Sequence, residues 1–189
     1  MSNLNKMKNI IIEKTLKLDC GKKISNFPLA YETYGNLNEK KDNAILIFHA
    51  LTGDQYASGI NPITKKEGWW NYAVGPGKAF DTDKFFVICA NVIGGCMGSY
   101  GPGTIDPLTN KPIGTNFPVI TINDMVNAQY NLLDYLKIEK LFAVAGGSMG
   151  GMQVLQFVSN FPNKAKVALP IACTASHSAQ NIAFNELGR

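Results

Sequence analysis

Four short apolar runs stand out along the chain, each bounded by polar or glycine-rich sequence. They occupy residues 44–48 (AILIF), 85–90 (FFVICA), 141–145 (LFAVA) and 167–172 (VALPIA). Apolar runs of this length, without alternating polar positions, are typical of strands buried on both faces of a parallel sheet. Residues 10–18 and 29–34 alternate apolar and polar positions, at least in part, and are also predicted as strands.

Two segments among these runs have the periodicity of helices. Residues 122–138 carry an apolar stripe, and Thr121 followed by Asp124 has the pattern of a capping box at the helix start. A second helix is predicted to start after Ser148 and to end near Asn160, before a proline. The resulting order of strand, helix, strand, helix and strand predicts an α/β fold with a parallel sheet.

Composition narrows the class of protein. The chain has 189 residues, of which 46% are hydrophobic and 17% are charged, enough for one buried core. Its net charge of +4 is mild and comes in part from six lysines within residues 1–23, so it gives no basic stripe for nucleic acid. No apolar run is long enough to span a membrane, and the N-terminus lacks the features of a signal peptide, so a cytoplasmic location is predicted.

The cysteines and histidines give no metal site. The four cysteines form no CxxC pair and have no ligand spacing with the two histidines, which favours a reducing compartment and predicts no bound metal. Cys89 and Cys173 lie in or beside apolar runs and are interpreted as small buried hydrophobic residues.

The most informative motif is GGSMGG at residues 146–151, which contains G-x-S-x-G directly after a predicted buried strand and directly before a predicted helix. A serine on such a tight turn is held in a strained backbone conformation with its hydroxyl raised above the sheet. The helix start behind it directs unpaired N–H groups toward developing negative charge. Ser148 is therefore the candidate nucleophile. The alternative is a serine that only caps the helix in a glycine-rich turn.

A second motif, HALTG at residues 49–53, follows the predicted strand 44–48. Where a G-x-S-x-G serine is the nucleophile, two backbone N–H groups stabilise the oxyanion that forms during the reaction. One comes from the loop after the third strand and the other from the residue after the serine. The backbone N–H groups of Leu51 and Met149 are predicted to fill these positions.

Other candidate residues carry weaker signals. Neither His49 nor His177 lies where this catalytic arrangement places its base, so His49 is expected to shape its loop through a hydrogen bond and His177 is either structural or part of the site wall. Trp69 and Trp70 are interpreted as anchors of the long loop 51–84 rather than as ligand contacts. This loop and loop 94–118 are rich in glycine and proline and leave predicted strand ends, where ligands of α/β sheets bind. The acids Asp54, Asp81, Asp83, Asp106 and Asp124 precede Ser148, Glu186 alone follows it, and none is assigned to a triad.

From residue 29 onward the chain resembles the homoserine O-acetyltransferase family of methionine biosynthesis. The resemblance rests on LAYETYGNLN, HALTGDQYASG, GWWNYAVGPGKAFDT, FFVICANVIGGCMGS, GPGTIDP, FPVITINDMVNAQ, GGSMGGMQ and SHSAQNIAFNELGR, in this order. It implies an α/β-hydrolase fold in which Ser148 takes an acyl group from acetyl-CoA and passes it to L-homoserine. It also implies no permanently bound cofactor, a helical lid and a homodimer.

The resemblance further implies that the triad aspartate and histidine lie beyond residue 189. We therefore interpret the chain as an N-terminal fragment, with residues 1–175 in the hydrolase core, residues 176–189 at the start of the lid, and later strands missing. Such a fragment is expected to be inactive on its own, and poorly soluble because the missing strands leave a strand edge exposed. Four alternatives stay open: a succinyl donor, serine in place of homoserine as acceptor, a serine esterase of the same fold, and a non-catalytic binding module.

Overall fold

The computed structural model describes residues 8–188 and contains a six-stranded sheet. The strands in chain order are β1 (Asn9–Ile12), β2 (Phe27–Tyr34), β3 (Ala44–Phe48), β4 (Phe86–Ala90), β5 (Leu141–Gly147) and β6 (Ala165–Ile171). Their order across the sheet is β1-β2-β4-β3-β5-β6. Strands β4, β3, β5 and β6 run parallel to one another. At one side of the sheet, β2 pairs antiparallel with β4, and β1 pairs antiparallel with β2. The predicted mostly parallel sheet is confirmed.

The parallel register brings three strand ends to one edge of the sheet. Gly146 of β5 lies opposite Phe48 of β3, and Ile47 of β3 lies opposite Cys89 of β4. Since side chains and loops at the carboxyl ends of parallel strands share one edge, the segments that leave β3, β4 and β5 meet there.

Three helices accompany the sheet: α1 (Ile122–Leu136), α2 (Met149–Asn160) and α3 (Ala179–Leu187). The predicted capping box is confirmed: the Thr121 side chain accepts from the Asp124 N–H, and the Asp124 carboxylate accepts from the Thr121 N–H. Helix α1 ends two residues earlier than predicted because Lys137 adopts a left-handed conformation with φ of 56°. Helix α2 has the predicted bounds.

The sheet has a core on each face. On one face, α1 and α2 pack against alternate residues of the strands, including Leu46 and Phe48 of β3. On the other face, the loop between β3 and β4 covers Ile45 and Ile47. Each residue of β3 is therefore buried, as its unbroken apolar sequence predicts.

The tryptophan pair anchors this loop, as predicted. The rings of Trp69 and Trp70 stack with centroids 5.1 Å apart, and Trp70 lies 5.2 Å from the ring of Phe80. The indole Nε1–H of Trp69 donates to the Asp54 carbonyl at 2.9 Å. Both rings pack against the core formed with Ile45 and Ile47.

Two strand predictions are wrong. Residues 10–18 do not form one strand: β1 ends at Ile12, and Leu16–Lys17 pairs instead with Lys23–Ile24 in a separate hairpin. Strand β6 is not buried, because within residues 8–188 no strand pairs with its outer side. It also starts and ends earlier than predicted, since Ala172 takes a φ of 47° and leaves the strand conformation.

The remaining elements are short. Val74–Gly75 pairs with Phe80–Asp81, Ile105–Asp106 pairs with Lys111–Pro112, and Gly114–Asn116 forms a 3₁₀ turn. Among residues 8–188, no helix has the length and apolarity to cross a membrane. The same residues contain no cluster of three side chains suited to holding a metal ion. Lys6, part of the predicted basic N-terminal feature, lies outside the described residues.

Candidate active site

Ser148 lies between the end of β5 and the start of α2, in a conformation that L-residues rarely adopt. Its φ and ψ are 56° and −121°. Its side chain forms no capping hydrogen bond with α2, so the alternative of a simple helix-capping serine is wrong. Its backbone N–H donates to the Ile171 carbonyl of β6 at 3.0 Å, which holds the turn against the neighbouring strand. Ser148 is exposed, so its hydroxyl is accessible from solvent.

The glycines two residues before and after Ser148 are required by close backbone contacts. A Cβ placed on Gly150 would lie 2.1 Å from the Phe48 carbonyl oxygen, and one on Gly146 would lie 2.5 Å from the Gly150 carbonyl. Both distances are far below van der Waals contact. By contrast, a Cβ on Gly147 would meet nothing within 4 Å. The turn therefore needs glycine at the outer positions of G-x-S-x-G and tolerates a side chain at residue 147.

Gly151 is required for a different reason. A Cβ there would lie 2.6 Å from the Cys173 sulfur and 3.0 Å from the Ile171 carbonyl oxygen. The side chain of Cys173 thus packs on the first turn of α2. Cys173 is only half-buried, so the prediction of a fully buried cysteine is wrong at this position, whereas Cys89 is fully buried.

His49 fixes the loop that leaves β3, as predicted. Its Nδ1 lies 2.7 Å from the Ala50 carbonyl oxygen, which can only accept, so Nδ1 carries the proton. Its Nε2 then accepts the N–H of Val92 at 3.1 Å. Burial lowers the pKa of the imidazole below its usual value. Both ring nitrogens of this neutral histidine are occupied by loop contacts, which leaves neither of them to act as a base.

The loop of His49 lies directly against the start of α2. A Cβ placed on Gly150 would lie 3.1 Å from the His49 carbonyl oxygen, in addition to its clash with Phe48. The Leu51 amide follows two residues after His49 and makes no hydrogen bond within the described residues. The Met149 amide belongs to the first turn of α2, where N–H groups have no intrahelical acceptor.

A buried glutamine pair that was not predicted from the sequence lies behind this turn. Gln153 of α2 and Gln129 of α1 are both fully buried, and the Gln129 amide donates to Gln153 Oε1 at 2.8 Å. Gln153 Nε2 lies 3.4 Å from the His49 carbonyl oxygen and 3.5 Å from that of Met149. The burial of Gln153 could have been predicted from its position in the helix, because residue 153 falls on the buried stripe of α2 together with Val154 and Phe157.

An open cavity of about 540 Å³ lies beside Ser148. Its wall comes from Met152 of α2, from the segment after β6 and from α3; the residues of the last two are Ala172, Cys173, Thr174, His177, Asn181, Phe184 and Asn185. His177 is therefore part of the site wall, one of its two predicted roles. Within the described chain, no residue of loops 51–84 and 94–118 lines this cavity, although both loops were expected to contribute to a site.

Asp81, Asp106 and Asp124, three of the acidic residues before Ser148, have structural roles. Asp124 caps α1, Asp81 accepts from the N–H groups of Gly77 and Asp83, and Asp106 accepts from the N–H of Leu108. These contacts give no reason to assign the three residues to a catalytic triad. Cys96 is exposed, and burial raises the pKa of the Cys89 thiol well above its usual value, so Cys89 is not suited to act as a thiolate.

A strained serine between a parallel strand and a helix, with glycines on both sides, has the geometry of the strand-to-helix turn of α/β hydrolases. The family model for the alpha/beta hydrolase fold matches residues 43–176, and the chain belongs to this family.

Individual proteins similar to this chain include both acetyltransferases and an ester hydrolase. The chain is 81% identical over 187 residues to a homoserine O-acetyltransferase of Pelagibacter ubique, a match that covers 99% of this chain and 50% of that protein. Among solved structures it is similar to a homoserine O-acetyltransferase from Bacillus anthracis (31% identity, TM-score 0.82, 92% of this chain and 48% of that one). It is also similar to an acetylester hydrolase from Corynebacterium glutamicum (34% identity, TM-score 0.78, 97% and 49%). The chain spans about half the length of the curated relatives it matches.

Proposed function

We propose that the whole protein is a homoserine O-acetyltransferase that transfers the acetyl group of acetyl-CoA to L-homoserine through an acyl-Ser148 intermediate. The observation that carries this proposal is the strained conformation of Ser148, whose side chain has no capping role. The 81% identity to a protein of that name supports the choice of reaction. We further propose a cytoplasmic homodimer that uses acetyl-CoA as co-substrate and has no permanently bound cofactor.

In the first step, the Ser148 hydroxyl oxygen attacks the thioester carbonyl of acetyl-CoA while a base takes its proton. The carbonyl oxygen becomes an oxyanion and accepts hydrogen bonds from the backbone N–H groups of Leu51 and Met149. Neither amide has a competing acceptor among the described residues. The C–S bond then breaks, CoA leaves as a thiol after protonation, and the acetyl group remains on Ser148.

In the second step, the side-chain hydroxyl of homoserine attacks the acetyl-serine carbonyl. The base takes the hydroxyl proton, the same two amides bind the oxyanion, and Ser148 leaves with its proton restored. The base belongs at the end of a later strand in this fold. His49 is held in its loop by both ring nitrogens, and His177 lies in the segment between β6 and α3, so neither histidine takes that position.

Transfer rather than hydrolysis requires that water be excluded from the acyl-enzyme. The cavity beside Ser148 is open in this chain, and α3 supplies Asn181, Phe184 and Asn185 to one wall. We propose that α3 begins the helical lid and that a complete lid narrows this cavity around the acceptor.

A second candidate function is ester hydrolysis. It is favoured by the similarity to an acetylester hydrolase, which is as extensive over this chain as the similarity to the solved acetyltransferase. Both reactions pass through an acetyl-serine and differ in what accepts the acetyl group. The nucleophile turn is common to both, so the acceptor must be identified by experiment.

The test is mass spectrometry of the whole protein after brief incubation with acetyl-CoA or succinyl-CoA, followed by a chase with homoserine. We expect a mass gain on the peptide that contains Ser148 from acetyl-CoA, and its loss when homoserine is added, with formation of O-acetylhomoserine. A gain from succinyl-CoA instead would identify the succinyltransferase alternative. Loss of the adduct to water at an equal rate without homoserine would favour the esterase.

The matched pair for this test is Ser148→Ala and Ser159→Ala. Ser159 lies near the other end of α2 and is exposed, so its replacement should leave acylation unchanged. Ser148→Ala should abolish the adduct and lower turnover by at least about 1000-fold, because the covalent route is removed. Retention of turnover in Ser148→Ala would contradict the proposed function.

A further inference from the structure

The two amides proposed to bind the oxyanion lie on separate segments, and their relative position decides whether the site functions. Leu51 lies in the loop after β3, and Met149 lies in the first turn of α2. An oxyanion hole acts only when its donors are already fixed where the charge develops. The site therefore depends on the contacts that join these two segments.

Gln153 contacts both segments with one side chain. Its Nε2 amide group has two protons, and the two acceptors within reach are the His49 carbonyl oxygen at 3.4 Å and the Met149 carbonyl oxygen at 3.5 Å. His49 is two residues before Leu51, and the Met149 carbonyl belongs to the proposed donor residue itself. The side chain is completely buried, with 0% of its surface exposed.

The orientation of the Gln153 amide is set from the other side. Gln129 of α1 donates from Nε2 to Gln153 Oε1 at 2.8 Å, which leaves Gln153 Nε2 directed toward the turn. Gln129 is also completely buried. The ring of His49 contacts the Ala50 carbonyl oxygen and the Val92 N–H, so hydrogen bonds of its own ring also hold the same loop in place.

We propose that Gln153 is a positioning residue that joins the loop after β3 to the first turn of α2 and thereby sets the geometry of the oxyanion hole. The inference rests on the proposed function, because it assigns Gln153 a part in stabilising the same acyl-transfer intermediates. Gln153 does not line the cavity beside Ser148. It affects the reaction indirectly, through its contacts with the main-chain carbonyl groups of His49 and Met149.

The experiment measures acylation of Ser148 by acetyl-CoA in single turnovers, with the whole protein and the Gln153→Met variant. Methionine has a similar shape and cannot donate to either carbonyl. We expect the acylation rate constant to fall about 10- to 100-fold, as for a small displacement of an oxyanion donor, with the half-saturating concentration of acetyl-CoA little changed. The control is Gln156→Met on the next turn of α2, whose amide donates to Asn160. It should acylate at the rate of the unmodified protein.

A Gln153→Glu variant separates the donor role from packing. A carboxylate there can still accept from Gln129 but cannot donate to His49 or Met149, so acylation should be slow at a pH high enough to ionise this buried carboxyl, since burial favours its protonated form. Lowering the pH protonates this buried carboxyl and restores one donor, so the ratio of its rate to that of the unmodified protein should rise.

The outcomes distinguish this inference from the proposed function. No acyl-Ser148 in the unmodified protein would contradict the proposed function itself. Acylation by the unmodified protein together with a full rate in Gln153→Met would overturn only the role of Gln153. Thermal melting of each variant confirms that folded protein is being compared. If Gln153→Met does not fold, the Gln153→Leu variant decides, because leucine also lacks a donor and a full rate in it would count against the inference.

Discussion

Strands β3 and β6 lie on either side of strand β5 and have similar apolar sequences, yet their surroundings differ. All residues of β3 are buried, with Leu46, Ile47 and Phe48 at 0% exposure. On β6, Val167 and Leu169 are each 41% exposed and Ile171 is 44% exposed. The difference comes from what packs on each strand: β3 has strands on both sides and a core on both faces, whereas β6 pairs with β5 alone among the described residues.

The candidate nucleophile lies between these two flanks. On the β3 side, the backbone of α2 packs so closely on Phe48 and His49 that no side chain fits at Gly150. On the β6 side, the chain turns away at Ala172, with a φ of 47°, and the cavity beside Ser148 begins there. The tight flank is therefore suited to fixing main-chain donors, and the cavity beside Ser148 lies on the other flank.

The largest effect expected from this comparison is steric and falls on the tight flank. Gly150→Ala would place a methyl group 2.1 Å from the Phe48 carbonyl oxygen, so backbone must move. We expect the free energy of unfolding to fall by more than about 3 kcal/mol, together with loss of acylation. Gly147→Ala is the matched control, since its methyl group meets nothing within 4 Å and should cost less than about 1 kcal/mol. Urea denaturation of both variants measures the difference, and equal costs would show that the packing of the turn is looser than described.

The same substitution on the two flanks gives the next largest effect. Leu46→Ala removes a side chain with 0% exposure and should lower the free energy of unfolding of the 189-residue chain by about 3 kcal/mol. Leu169→Ala removes one that is 41% exposed and should cost about 1 kcal/mol or less. If Leu169→Ala proves as costly as Leu46→Ala in urea denaturation, β6 is covered in solution and the contrast between the flanks does not hold.

The smallest expected effect is a pH dependence on the tight flank. Burial lowers the pKa of His49 below its usual value of 6.5. Between the lowered pKa and 6.5 the unfolded chain binds a proton that the folded chain does not, so stability is present above 6.5 and is lost as the pH falls below it. The slope contributed by one such group is at most about 1.4 kcal/mol per pH unit. His49→Gln should remove this contribution when unfolding is measured at about pH 7.5 and about pH 5.5, on either side of the usual histidine pKa. An unchanged slope would mean that another group dominates the titration.

The strands and helices nearest Ser148 were predictable because their signals are local. Strand β3 and helix α2 have the predicted bounds, and the capping box of α1 forms as its sequence indicates. The conformation of Ser148 also follows from its local context, since a serine between glycines at a strand-to-helix junction has few ways to turn the chain. The division of residues 1–175 and 176–189 into core and lid stays a prediction.

Features that depend on distant partners were not predictable. The buried pair of Gln153 and Gln129 joins residues 24 positions apart on two helices, and no local pattern identifies that contact. The half-buried state of Cys173 depends on which strands and helices lie beside it. The cavity wall formed by Ala172, His177 and α3 likewise depends on where the chain passes after β6.

The sequence by itself determined the strand and helix order, the α/β class and the identity of Ser148 as candidate nucleophile, because apolar periodicity and glycine spacing act over a few residues. Only the tertiary structure decided which apolar strand is buried, which face of the serine is open, and which side chains hold the loop of His49 against α2. These properties depend on contacts between segments far apart in the chain, and burial and hydrogen bonding are determined by the neighbours that folding brings together.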